Sequence, residues 1–159
     1  VLETHSVQTD TVGTVVLAPG GELTIDVLAA ADSSSSERTR IRLTRAADVG
    51  TTGAAEITLS VDRSQTRDAT VLPHYDEKFL SGAIDTDESG TVELRILVDH
   101  SIIEIFANGR PLTARAYPAS AKSNGIVVET NSDATVSKLS TWTMATAEQE
   151  ERFSIIAPQ

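Results

Sequence analysis

The sequence predicts an all-β fold: a two-sheet antiparallel β-sandwich of the jelly-roll or concanavalin-like kind, followed by a short C-terminal helix or tail. Three observations predict it. Apolar residues alternate with polar ones in run after run, turn residues separate the runs at intervals of about 8 to 12 residues, and no helical period intervenes. The 159 residues suit one domain with a single core. Hydrophobic residues at 40% and charged residues at 23% belong to the globular range.

Taken in order, the first alternating stretch lies between Glu22 and Val61. There Leu23, Ile25 and Val27, then Ile41 and Leu43, then Ile57, Leu59 and Val61 recur with the period of half-buried strands. Thr91–Asp99 is the clearest strand, with Val92, Leu94, Ile96 and Val98 on one face and Glu93, Arg95 and Leu97 on the other. Residues 102–106, 112–117, 125–130 and 136–144 follow, rich in β-branched or aromatic side chains. Asn108-Gly109 and Asn124-Gly125 are expected to supply the positive φ angles of tight hairpins, and Pro19-Gly20-Gly21 a third turn. Residues 33–36 and 50–53 are small and polar and read as exposed loops. Residues 145–153 contain good helix formers in a run too short to be stable without packing. The expected organisation is a sandwich module over 1–144 and a tail or short helix over 145–159. No repeat of about 20 to 50 residues signals a propeller or solenoid.

The charge excludes some partners. A net charge of -10 disfavours phosphate backbones and anionic lipid, which need clustered cations, so nucleic acid and membrane are not expected partners. The longest apolar stretches, such as Ile102-Ile103 and Ile126-Val127-Val128, fall far short of the ~20 residues that span a bilayer. With no cysteine there is no disulfide, thiolate metal site or thiol nucleophile. The chain opens on Val1 without a basic, apolar leader, so any signal peptide is expected to lie upstream or to have been removed.

Residues 94–109 read LRILVDHSIIEIFANG and are followed by Arg115-Ala116-Tyr117-Pro118; earlier stands LSVDRS over 59–64, and Ser140-Thr141-Trp142-Thr143-Met144 comes late. In order and spacing these segments resemble the C-terminal domain of glycoside hydrolase family 32, which includes invertases, inulinases and levanases. The resemblance covers residues 1–144 and implies a β-sandwich that follows a five-bladed catalytic β-propeller, in an extracellular protein. The sandwich is also similar to family 66 carbohydrate-binding modules, which bind the terminal fructose of fructans.

Catalytic equipment is not expected in this chain. Retaining glycosidases need two carboxyl groups flanking the scissile bond. The resemblance implies that these lie in Asn-Asp-Pro and Glu-Cys segments, with a transition-state stabiliser in Arg-Asp-Pro. This sequence has no Asp-Pro, and its nearest approach is Arg67-Asp68-Ala69. His5, His74 and His100 are scattered, and no serine sits in a Gly-x-Ser-x-Gly elbow. Neither a metal nor a cofactor is expected; residues 85–90 read as an acidic turn rather than a calcium loop.

Asp62, Arg63, Asp99 and Glu104 sit inside the segments that carry the resemblance. One reading makes Arg63 a bidentate partner of Asp99 or Glu104 that ties strands together. The other makes these residues a grip on vicinal sugar hydroxyls. The structural reading is favoured. Of the few aromatic residues, Trp142 and Phe106 are expected in the core, and Tyr75 in its polar loop is the best exposed ring for a sugar. The candidate carbohydrate contacts are therefore Arg63, Asp99, Glu104 and Tyr75. Two functions result: an accessory domain that packs on a catalytic β-propeller, or an autonomous fructan-binding module recognising levan, inulin or sucrose.

Overall fold

The computed structural model describes residues 5–30, 36–47, 56–66 and 78–145. Ten strands are described: β1 Gln8–Leu17, β2 Glu22–Ala30, β3 Arg38–Arg45, β4 Glu56–Gln65, β5 Phe79–Asp85, β6 Thr91–Asp99, β7 Ile102–Ala107, β8 Arg110–Arg115, β9 Ser123–Thr130 and β10 Ala134–Thr143. They form two five-stranded sheets with orders β10-β1-β6-β7-β8 and β5-β4-β3-β2-β9. Every pairing is antiparallel. The all-β sandwich expected from the sequence is the architecture found.

The inner faces make an aliphatic core. The first sheet contributes Val92, Leu94, Ile96 and Val98 from β6 and Ile103 and Ile105 from β7. The second contributes Leu23, Ile25 and Val27, then Ile41 and Leu43, then Ile57, Leu59 and Val61. Each side chain of this size contributes about 1.5–3 kcal/mol when taken out of water. Among the described residues no aromatic ring is buried.

Two expected core rings therefore lie elsewhere. Trp142 is 54% exposed and Phe106 is half-buried on an outer face. The cause is register. On β10 the inward positions near this end are Leu139 and Thr141, and the Thr141 hydroxyl pairs with that of Thr11 at 3.0 Å, which lets both polar groups face the interior. With a side-chain period of two, Trp142 must then point outward, opposite Asp10.

Asn108-Gly109 forms the expected hairpin, with φ of 48° and 77° between β7 and β8. Pro19-Gly20-Gly21 is also a turn, with Gly20 at φ 83°. Asn124-Gly125 is not a hairpin: both residues lie within β9, and Gly125 pairs with Ala29 of β2. The chain enters β9 from a loop over 116–122 that the Glu37 carboxylate holds, accepting hydrogen bonds from the Ala119 amide at 2.5 Å, the Ser120 amide at 3.2 Å and the Ser123 hydroxyl. Most of the expected loops at 33–36 and 50–53, and the tail from 146, lie outside the described residues.

A buried cation closes one end of the sandwich. Arg45, 8% exposed, donates to the carbonyl of Leu17 at 2.7 Å and to that of Glu88 at 3.1 Å, joining the end of β1 to the turn before β6. Gly90 in that turn has φ 69°, and a Cβ there would overlap both the Leu17 carbonyl and the Arg45 guanidinium. Only glycine suits this position.

Candidate functional site

Two of the sequence candidates, Asp99 and Glu104, lie at the opposite end, where β6 stops and β7 starts. Asp99 closes β6 and pairs across to Ile102, while Glu104, two residues along β7, pairs with Leu97. Both carboxylates thus share the outer face of the first sheet as diagonal neighbours. The Asp99 carboxylate accepts from Gln8 Nε2 at 3.0 Å and lies 2.7 Å from His100 Nδ1. His100, and to a lesser degree Gln8, hold its carboxyl below the usual range. His100 itself adopts φ 54° in the tight turn between the strands.

Arg63 belongs to β4 of the second sheet, and its Nη1 donates to the carbonyl of Arg115, the last residue of β8, at 3.1 Å. This bond joins the two sheets through a backbone oxygen, where the structural reading expected the carboxylate of Asp99 or Glu104. Asp62 turns back to accept from the Ser64 amide at 2.8 Å. Along the same seam the Arg110 guanidinium pairs with the Asp85 carboxylate, and Asn108 Nδ2 donates to the Asp85 carbonyl at 3.2 Å. Tyr75, the fourth candidate, lies outside the described residues.

The outer faces of the two sheets differ in kind. On the second sheet Asp26, only 6% exposed, receives a fork from Arg40 at 2.8 and 2.9 Å and lies 3.5 Å from Arg38. The hydrogen bond to Asp26 holds the Arg40 guanidinium above its ordinary range. Arg42 pairs with Glu22 at 3.4 Å on the same face. On the first sheet Asp10 and Arg95 form a bidentate pair at 3.0 and 2.8 Å, and Trp142 stands beside Asp10 in the next strand. Sequence reasoning missed Trp142, Asp10 and Arg95 as a cluster. Only the register of β1 with its two neighbours brings them together.

Chemically, several of the described carboxylates are held by cations, hydroxyls and amides: Asp10 by Arg95, Glu93 by the Thr14 hydroxyl, Asp85 by Arg110 and Asp87 by the Ser89 amide. Among the described residues no group of three or more His, Asp or Glu could hold a metal. A crevice between the sheets, lined by Gly13, Leu23, Leu94 and Leu139, offers about 10 Å³, room for one water and not for a sugar ring.

Against known proteins, residues 3–143 match the family described as glycosyl hydrolases family 32 C terminal. The chain belongs to this family. The family 32 domain is 43% identical over 70 residues to β-fructofuranosidase, insoluble isoenzyme 7, of Oryza sativa subsp. indica, a match spanning 40% of this chain and 12% of the rice protein. Among solved structures it superposes on fructan 1-exohydrolase IIa from Cichorium intybus with a TM-score of 0.70 at 19% identity, over 91% of this chain and 32% of that one. A fructosyltransferase from A. japonicus gives 0.70 at 22%, over 95% and 25%. At such identities the superpositions establish the shared fold. The domain accounts for a third or less of each of these relatives.

Proposed function

We propose that this chain is the non-catalytic sandwich of a secreted family 32 enzyme that hydrolyses the glycosidic bonds of sucrose or fructans, and that it packs against and stabilises the catalytic β-propeller. The observation that carries this reading is the family match over residues 3–143, in a chain covering 32% of the chicory enzyme's length. Four described carboxylates support it, because Asp10, Glu93, Asp85 and Asp87 are each engaged by a cation, hydroxyl or amide. Removing this domain from its parent enzyme should lower the melting temperature of the remainder by several degrees, with kcat on sucrose changed less than about twofold. A remainder equally stable without it would refute the proposal, as would turnover of sucrose by this chain alone.

A second reading, an autonomous fructan-binding module, is favoured by one observation: the exposed ring of Trp142 beside the Asp10–Arg95 pair resembles a sugar platform. Arg63, Asp99, Glu104 and Tyr75 remain its candidate contacts from sequence. Titration calorimetry with levan, inulin and fructose tests it; a folded chain that releases no heat with any of them eliminates it.

A further inference from the structure

The outer face of the first sheet carries an apolar band that the fold itself leaves uncovered. Register places Trp142 of β10 diagonal to Val12 of β1, Val12 diagonal to Leu97 of β6, and Leu97 diagonal to both Ile102 and Phe106 of β7, with Pro111 of β8 directly opposite Phe106. Diagonal neighbours on one face lie about 7–8 Å apart, within reach of long and aromatic side chains. The band therefore crosses all five strands diagonally, between Asp10, Arg95 and Glu104 on the same face, with Val12, Leu97 and Phe106 half-buried in it. Trp142 is 54% and Ile102 41% exposed. The second sheet exposes Phe79 on its edge strand, while Asp26, Arg38, Arg40, Arg42 and Glu22 on its outer face pair with one another.

We infer that this face of the first sheet, from Trp142 to Pro111, is the surface on which the catalytic domain of the same polypeptide seats; the inference rests on the accessory-domain reading above. The family supplies the occupant, since relatives with this fold carry at least twice as much additional chain, the sandwich covering 32% and 25% of two of them. Size agrees. Five strands about 4.8 Å apart and about 25 Å long offer an area on the scale of one side of a standard protein contact, about 800 Å². A second copy of this chain is disfavoured by the net charge of -10 on each. A sugar is disfavoured because the face is an open sheet, whereas small-ligand sites are concave with converging polar groups. Aromatic anchors amid aliphatic contacts, with the Asp10–Arg95 pair to fix orientation, are what a protein partner uses.

Hydroxyl-radical footprinting of this chain alone and of the intact parent enzyme tests the assignment. Labelling of Trp142 and Ile102 should fall at least fivefold in the parent, and Ile102→Lys in the parent should speed thermal inactivation several-fold where Phe79→Lys, on the other sheet, does not. Unchanged labelling of Trp142 and Ile102 overturns the inference. If Phe79 is protected instead, the domains pack through the other face and only the face assignment fails; if none of the three is protected, the packing reading fails as well. Protection of Trp142 by inulin in this chain alone, without protection in the parent, likewise overturns it in favour of a sugar site.

Discussion

Asp26 is the residue whose loss should cost most on the polar face. Its carboxylate is nearly buried while the guanidinium groups of Arg40 and Arg38 converge on it. Asp26→Ala would leave those cations facing one another, and urea unfolding should register a loss of about 3 kcal/mol. Asp99 acts differently, because it is exposed and its effect depends on pH. Its carboxyl sits lower in the folded chain than the unfolded value of about 3.9. The stability it contributes is therefore complete above that value and disappears as pH falls through the folded value. The difference in urea midpoint between the parent sequence and Asp99→Asn should be constant near pH 5 and shrink below about pH 4; a difference independent of pH would refute this. At this scale the sequence was partly legible. Asp99 at the end of one strand and Glu104 in the next were read because the motif containing them is local. Glu37 and Arg45 were not, since a carboxylate capping a loop 82 positions away, or a guanidinium reaching a carbonyl 28 positions back, leaves no local pattern.

At the level of elements, β6 and β7 are the centre of the core, so Ile96→Ala and Ile105→Ala should each lower stability by about 3 kcal/mol in denaturant unfolding. The seam at the edge strands is weaker. Asp85 and Arg110 are 81% and 60% exposed, and Arg110→Ala should cost less than about 1 kcal/mol. Gly90→Ala should cost far more, and its thermal midpoint should drop by more than that of Arg110→Ala, because the turn must yield to the Leu17 carbonyl and Arg45. The bounds of β6 could be read directly from alternation. By contrast β1 offered no such signal: its inward positions begin Thr9, Thr11 and Gly13, so burial alternates where hydrophobicity does not. β5 was invisible for a related reason, since an edge strand buries little and only Ile84 in it is fully enclosed.

For the molecule as a whole, the sandwich was legible because most inward positions are aliphatic and obey the period of two, and the family because its motifs cluster on the β6–β7 hairpin. The difference between the two outer faces was not, since it depends on which strands become neighbours. That difference also bears on how the molecule can be observed. The one tryptophan of the chain is already bathed in solvent, while the core of the described residues is built from aliphatic side chains. Its emission should sit near that of free indole in the native state and move little on heating. A fluorescence melt of this chain would look flat even as the sheets come apart, and far-ultraviolet circular dichroism is the signal that would follow the loss of structure.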